Sequence, residues 1–236
     1  SKTALLIFRQ RRERDTFTIK LQGEDIKESE EEKLLGVVVQ NDLKWDHHVG
    51  KIVSELNYSL HVLSRLSGHL GRKELKIIAE GIIMSRVRYC TSVWGSDFVR
   101  FGNSDPRHSL VQKVQSVQNQ AMRTILRKKK SDHVRISDML SELGMLSVNQ
   151  TIAFNIIMDV WKARQFNVPV IGTLLRKRHH PTKTLRSEGK ETADSTESFA
   201  KAAEKLWNSA SERLRMTNLV VVAKKEAKEL AQTLPI

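Results

Sequence analysis

Residues Asp46 to Gly68 read DHHVGKIVSELNYSLHVLSRLSG, and their apolar side chains recur at steps of three and four residues. This spacing places one set of side chains on a single face of an α-helix: Val49, Ile52, Val53, Leu56, Leu60, Leu63 and Leu66. Asp46 is a candidate N-cap, and Gly68 is a candidate C-terminal stop. The stretch therefore predicts a long amphipathic helix that must bury its apolar face against neighbours.

Segments downstream show the same period. The next one begins near Arg72 and carries Leu75, Ile78, Ala79, Ile82, Ile83 and Val87 on one face. It follows the short connection SGHLG, which favours an antiparallel helix pair. Further helices are predicted over 110–130, ending in LRKKK (Leu126 to Lys130), and over 135–144 and 147–166, and amphipathic character resumes from Phe199.

The first forty residues form the only β-rich segment. TALLIF, from Thr3 to Phe8, and TFTIKL, from Thr16 to Leu21, are expected to pair as a hairpin. KLLGVVVQ, from Lys33 to Gln40, is expected to form one strand with a bulge or close backbone approach at Gly36. We therefore predict a mainly α protein, a helical bundle with a small antiparallel β segment at the N-terminus.

The charge of the chain points to a polyanionic partner. Forty Lys and Arg residues oppose 27 acidic ones, giving a net charge of +13, and such a surface favours nucleic acid. Eight basic residues between Arg107 and Arg135 oppose one acid, Asp132: Arg107, Lys113, Arg123, Arg127, Lys128, Lys129, Lys130 and Arg135. Two simpler interpretations are a solvated helix face and cations that stabilise a helix C-terminus.

Residues 176–198 contain a single leucine as their only large aliphatic residue, and we predict a flexible basic linker there. Its cluster Arg176, Lys177, Arg178, Lys183 and Arg186 could contact phosphates or act as a nuclear localisation signal.

Several kinds of chemistry find no support in the sequence. Cys90 is the sole cysteine, so neither an intramolecular disulfide nor a thiolate zinc cluster can form, and a reducing intracellular compartment, nuclear or cytoplasmic, fits. No apolar run reaches the length of a membrane span, so no membrane partner is expected. Asp-Asp pairs are absent, and ESEEEK, from Glu28 to Lys33, is interpreted as a solvated loop. Packing or capping is the expected role of His47 and His48, and core packing that of the four tryptophans.

Short motifs in sequence order resemble the region that follows the catalytic aspartates in LINE-type, non-LTR retrotransposon reverse transcriptases. SKTALLIF resembles the end of a palm motif, with Lys2 and Thr3 as its matching residues. KLLGVVVQNDLKWDHHVGKI resembles the strand and helix start that open the thumb, through Leu35, Gly36, Val37, Leu43, Trp45 and His48. Tyr89, Trp94 and Gly95 resemble the end of the thumb helix pair, and Ser198, Phe199, Leu206, Trp207 and Asn208 resemble a later signature whose usual Leu-Pro is Ala210-Ser211 here.

The resemblance implies an organisation and a function. It divides the chain into an end-of-palm β segment (1–45), a thumb helix pair (46–100), a post-thumb basic helical region (101–175), the linker (176–198) and a C-terminal helical segment (199–236). It implies binding of an RNA–DNA template-primer, together with the upstream palm and fingers of the same polyprotein. The Mg²⁺-binding aspartates would precede Ser1, so the chain alone would be inactive, would carry no cofactor, and would leave Lys2 without its pyrophosphate-directed role. The chain starts without methionine, and we interpret it as a piece of a longer protein.

Two other functions remain open at this point. One is a stand-alone or host-adopted helical nucleic-acid-binding module, and the other is a helical protein-interaction module whose charge keeps it soluble. For the nucleic-acid functions, the predicted contact residues are Lys113, Arg123, Arg127, Lys128, Lys129, Lys130, Arg135, Arg176, Lys177 and Arg178.

Overall fold

A computed structural model describes residues 3–8, 17–103, 108–169, 175–177, 185–187 and 195–236. The chain divides into two compact units, Ser1–Ile52 and Val53–Ile236. The predicted fold class is confirmed, because the described residues are mainly helical and a small β segment lies at the N-terminal end.

Five short strands make up the β segment of the first unit. They are β1 (Leu5–Leu6), β2 (Thr18–Leu21), β3 (Glu24–Ser29), β4 (Glu31–Leu34) and β5 (Val37–Gln40). Strand β3 lies between β1 and β2, parallel to the first and antiparallel to the second, while β4 and β5 pair antiparallel. The predicted hairpin between TALLIF and TFTIKL is therefore wrong, since β2 forms its hairpin with the following strand.

Two turns explain the differences from the predicted strands. Gln22 and Gly23 have φ of 51° and 88°, and Leu35 and Gly36 have φ of 47° and 89°. Positive φ at both central residues gives a two-residue turn whose geometry matches the right-handed twist of the paired strands. KLLGVVVQ is therefore two strands joined by a turn rather than the single strand predicted. The interpretation of ESEEEK as a loop is also wrong, because its residues end β3 and begin β4, and Glu30, Glu31 and Lys33 still keep their charges in solvent.

The helices follow from Asp46 onward. Their bounds are α1 Asp46–Leu66, α2 Arg72–Ala79, a π-helical turn Glu80–Met84, α3 Ser85–Arg88, α4 Thr91–Trp94, α5 Ser109–Leu126, α6 Ile136–Leu143, α7 Val148–Phe166, α8 Ser195–Asn208, α9 Glu212–Met216 and α10 Val220–Gln232. Two 3₁₀ turns, Ser96–Phe98 and Lys130–Asp132, interrupt the connections.

The second predicted helix contains a π-helical turn. After this turn, the buried positions come one residue later in the sequence than an unbroken α-helix would place them. Leu75 and Ala79 are buried before the turn, and Ile83, Met84 and Val87 are buried within and after it, while Ile82 stays half-buried. Beyond the turn, Arg86 Nη1 donates to Ser59 Oγ at 2.5 Å and to the Glu55 carbonyl at 3.3 Å. These contacts bring the second helix back along α1, as expected for a helical hairpin.

Helix α7 forms the centre of the second unit. It packs against α3, α4, α5, α8 and α10, and a helix that is contacted on so many sides must be apolar nearly all round. Its buried apolar residues are Val148, Ile152, Ala153, Ile156, Ile157, Met158, Val160, Trp161 and Ala163. A capping box starts the helix: Ser147 Oγ accepts from Gln150 N at 3.2 Å, and Gln150 Oε1 accepts from Ser147 N at 3.0 Å.

A buried asparagine joins three segments at the start of α7. Asn149 Oδ1 accepts from Arg100 N at 2.8 Å, and its Nδ2 donates to the carbonyls of Arg100 and Pro235 at 3.1 Å and 2.9 Å. Since the site is buried, no water replaces these partners at low cost. The side chain therefore ties the loop after α4 and the segment after α10 to the central helix.

Replacing Asn149 by alanine is expected to destabilise the protein by roughly 2–4 kcal/mol, because buried backbone groups lose their partners. Urea denaturation monitored by circular dichroism measures the change. Asn57→Ala is the matched control, since Asn57 is exposed on α1 and should change stability by no more than about 0.5 kcal/mol. Equal stability of Asn149→Ala and the unmodified chain would contradict the role given to this side chain.

The predicted linker is described in part. Leu175–Lys177 and Leu185–Ser187 form strands β6 and β7, which pair antiparallel, and this pairing was not predicted. Arg176 and Lys177 lie in β6, whereas Arg178 and the other residues between and after the strands, up to 194, lie outside the described residues.

Candidate nucleic-acid interface

An open groove in the second unit is lined by four basic side chains. One wall comes from the C-terminal end of α1 and the turn after it, and the other comes from the last turn of α5 and the residues that follow. The groove has a volume of about 460 Å³ and is lined by Ser64, Ser67, Gly68, Arg123, Thr124, Arg127, Lys128 and Lys129.

The end of α5 sets the direction in which these cations leave the helix. Arg127 is the C-cap and has left-handed backbone, with φ of 53° and ψ of 38°, so the helix ends at Leu126 and does not run on through LRKKK as predicted. Lys128 N donates to the Arg123 carbonyl at 2.9 Å, and Lys129 N donates to Asp132 Oδ2 at 2.8 Å. These bonds hold the LRKKK segment as a tight turn, so its basic side chains follow one another along the same wall.

Arg127 also joins the two walls. Its Nη2 lies 3.5 Å from the Ser67 carbonyl and 3.4 Å from the Leu70 carbonyl, at the upper limit of hydrogen-bond distance. Cations are favoured at helix C-terminal carbonyls, so this arginine has a structural role. Stabilisation of a helix C-terminus, one of the two simpler interpretations of the basic run, therefore explains Arg127.

The other cations of the groove have no such role. Within the described ranges, neither Arg123 nor Lys128 nor Lys129 has an acidic partner within 4.0 Å, and both lysines are exposed. The nearby acid, Asp132, is engaged with a backbone N–H. Ser67 Oγ and Thr124 Oγ1 donate to helix carbonyls at 2.6 Å and 3.0 Å. The side-chain hydrogen-bond donors left for an anion in this groove are therefore those of the cations and the Ser64 hydroxyl.

The structure brings together only part of the predicted contact set. Arg123, Arg127, Lys128 and Lys129 line the groove, and Lys130 follows at the start of the 3₁₀ turn. Lys113 lies ten residues before Arg123 on α5, about 15 Å along the helix axis, and Arg135 precedes α6. Both are exposed, but neither lines the groove.

Sequence reasoning missed the α1 side of the groove. Ser64, Ser67 and Gly68 lie more than fifty residues before the basic run, and SGHLG was interpreted only as a connection between helices. A signal was available, because a helical hairpin must place its connecting turn at one end of the bundle, where other helices also end.

Two of the motif residues, Trp94 and Gly95, have a clear packing role, while the Tyr89 side chain is 53% exposed. Trp94 is fully buried, and its Nε1 donates to the Tyr89 carbonyl at 3.1 Å. A Cβ at Gly95 would lie 2.6 Å from the Thr91 carbonyl oxygen and 3.0 Å from Ile152 Cγ1, so only glycine fits there. The spacing Tyr-x-x-x-x-Trp-Gly thus closes a compact turn against α7.

The remaining motif residues are mostly structural as well. Leu35, with 82% of its surface exposed, and Gly36 form the β4–β5 turn, and Val37 is buried. Leu43 has left-handed backbone, with φ of 56°. Trp207 is buried, and the Asn208 carbonyl accepts from Arg215 Nη1 at 3.4 Å. Thr3 is exposed, and Lys2 lies outside the described residues.

The tryptophan prediction is confirmed, because Trp45, Trp94, Trp161 and Trp207 are all buried. His48 is also buried, and its Nδ1 accepts from Val38 N at 3.2 Å, as expected for a packing role. His47 differs, since its exposed ring lies 2.5 Å from Glu31 Oε2. Over the residues that the structure describes, no group of three or more His, Cys, Asp or Glu side chains could hold a metal ion.

His47 is expected to titrate above its ordinary pKa of 6.5, because its hydrogen bond to Glu31 favours the charged ring. The stability contributed by this contact is therefore fully present below about pH 6.5 and is lost as the pH rises through the folded-state pKa. Nuclear magnetic resonance of the ring protons measures the midpoint. Glu31→Gln should lower it towards 6.5, and equal midpoints in the two proteins would contradict the contact.

None of the described helices is by itself long and apolar enough to cross a membrane, although α6 and α7 together, across a 49° bend, meet the length and composition test. Comparison with known proteins found no matching family model, curated protein or solved structure.

Proposed function

We propose that this chain binds the phosphate backbone of an RNA–DNA hybrid duplex through the groove between the ends of α1 and α5. The observation that carries the proposal is the convergence of Arg123, Lys128 and Lys129 without acidic partners among the described residues. Backbone binding requires positive charge spaced along a surface rather than groups that read base edges. The four lining cations meet that requirement, and Lys130 extends the row.

The arrangement also bears on the rival explanation, in which these cations only stabilise the helix end. Arg127 satisfies the carbonyls after α1. Lys128, Lys129 and Lys130 lie beyond the last turn of α5, and no side-chain hydrogen bond ties them to a described helix carbonyl. Since exposed like charges repel one another, clustering them costs stability unless an anion binds.

As the wider setting of this activity, we propose the end of the palm, the thumb and the post-thumb extension of a LINE-type reverse transcriptase. The support is the order of the sequence motifs and a long helical hairpin placed directly after a small β segment. In that setting the groove would hold the template-primer, and the upstream palm and fingers would supply the aspartates and Mg²⁺. Of the two alternative functions, a stand-alone nucleic-acid-binding module would use the same groove for the phosphate backbone. A protein-interaction module would not need it.

The test of this proposal is the affinity of the chain for an RNA–DNA hybrid across a salt series. Binding that weakens steeply with salt, with a slope of several units of log K per unit of log salt concentration, is expected for a surface that contacts several phosphates. Single-stranded RNA of the same length is the comparison. Absence of hybrid binding at low salt would overturn the proposal and favour the protein-interaction module.

A further inference from the structure

Strand β2 lies at an open edge of the sheet in the first unit. In the order β1-β3-β2, one side of β2 pairs with β3, and no strand among the described residues pairs with its other side. Glu28 N donates to the Phe17 carbonyl at 2.9 Å. Bonded and non-bonded positions alternate along an antiparallel pair, so every second residue from Phe17 directs its backbone groups to β3. The intervening Thr18 and Lys20 direct theirs to the open edge, which is a template for a further strand.

One face of the same strand is apolar and exposed. Successive side chains of a strand point to opposite faces, so Phe17, Ile19 and Leu21 lie on one face, with 57%, 41% and 46% of their surfaces exposed. Ile26 on β3 lies opposite Ile19 and belongs to the same face. A strand added to the open edge would extend this apolar face and remove part of it from water.

A second copy of β2 meets both requirements in one register. The two copies would pair antiparallel across a two-fold axis, with Ile19 opposite Ile19. Thr18 of each copy then lies opposite Lys20 of the other, and these are the residues whose backbone groups face the edge, so each pair exchanges N–H···O bonds. On the apolar face, Phe17 of each copy lies opposite Leu21 of the other. Hydrogen bonds and apolar contacts are therefore satisfied together.

The neighbouring registers fit less well. A shift of two residues one way places Lys20 opposite Lys20, and like charges directly opposite one another are destabilising. The same shift the other way places Thr18 opposite Thr18 and moves Lys20 beyond the end of the other copy's β2. A shift of one residue places the free backbone groups opposite groups that already bond β3, and turns the two apolar faces to opposite sides.

We propose that two copies of this chain associate through their β2 edges, in the antiparallel register centred on Ile19. The charges of the pairing support a second copy as the occupant, because Lys20 faces the neutral Thr18 of the other copy and has Asp25 opposite it on its own β3. A single strand pair is a small interface, so the dimer is a weak one. The interface shares no residue with the groove, so dimer formation and nucleic-acid binding can fail separately.

The test is sedimentation of the full chain, freed of nucleic acid, over a micromolar concentration series. A monomer–dimer equilibrium is expected. Lys20→Pro removes the N–H that faces the open edge, where proline is compatible with β2–β3 pairing. It should weaken the dimer roughly tenfold or more, since each half of the interface loses a backbone hydrogen bond. Lys20→Ala keeps that N–H and is the matched control, so an equal loss in both variants would overturn the proposal.

A second measurement tests the register without depending on proline. Cys90 is the sole cysteine, so single cysteines can be introduced into a Cys90→Ser chain. Ile19→Cys places two Cα atoms about 4.5 Å apart across the axis, within disulfide range. Thr18→Cys places them two residues out of register, beyond that range. Mild oxidation should therefore cross-link Ile19→Cys much faster than Thr18→Cys.

Two results would overturn the proposal. Equal rates of cross-linking at the two positions would indicate random collision. A chain that stays monomeric at every concentration would leave the edge to a strand from a different protein.

Discussion

Changing Lys128, Lys129 and Lys130 together to alanine is expected to lower affinity for an RNA–DNA hybrid by roughly a hundredfold or more at low salt. Each lysine that contacts a phosphate releases about one counterion on binding, so the slope of log K against log salt should also flatten by about one unit per lysine. The measurement is fluorescence anisotropy of a labelled hybrid between about 50 and 200 mM salt, the range over which such binding changes most.

The matched control removes the same charge elsewhere. Lys201, Lys224 and Lys225 are exposed on α8 and α10, and their joint replacement by alanine should change the affinity far less. If both triple variants weaken binding equally, the attraction depends on net charge and the groove has no particular role. If the first variant also melts at a much lower temperature, the lysines act on folding, which the structure gives no reason to expect.

Trp94→Ala is expected to destabilise the protein by about 3–5 kcal/mol, the usual cost of removing a large aromatic side chain from a core. Trp94 is fully buried, and it also donates to the Tyr89 carbonyl, which would lose its partner. The free energy of unfolding of a whole domain is only about 5–15 kcal/mol, so this change would remove a large part of it. The melting temperature should fall by about 10 °C.

The neighbouring residue supplies the control for this change. Val93 is 52% exposed, so Val93→Ala should alter stability by about 0.5 kcal/mol or less. Trp94→Phe should fall between the two, because it keeps one aromatic ring in the core but loses the second ring of the indole and the N–H donor. A Trp94→Ala protein as stable as Val93→Ala would contradict the packing described around α4 and α7.

The helices were predictable because their signals are local and repeated. The apolar period over Asp46–Leu66 and the Ser147 start of α7 mark elements that the structure contains. The strand pairing was not predictable in the same way. Leu35 adopts left-handed backbone at the β4–β5 turn, a conformation that leucine rarely takes, so an apolar run was interpreted as one strand. Pairing of β1 with β3 depends on contacts distant in sequence.

The candidate interface could also be predicted only in part, because it depends on contacts between residues distant in sequence. The basic run from Arg123 to Lys130 stands out by composition alone. The other wall of the groove is formed by Ser64, Ser67 and Gly68, at and just after the end of α1. No local sequence pattern connects these residues to the basic run.

The π-helical turn Glu80–Met84 lets the second helix hold one residue more than an ordinary α-helix would hold over the same stretch. Successive α-helical residues are rotated by about 100° around the axis, and the wider turn takes up the extra rotation that one added residue would cause. Deletion of Gly81 would therefore convert the turn to ordinary α-helix and leave Arg86 facing Glu55 and Ser59, with Val87 still in the core. Natural variants that lose one residue between Glu80 and Met84 should keep the helical hairpin, whereas loss of one residue from the middle of α1 would rotate the rest of that helix by about 100°.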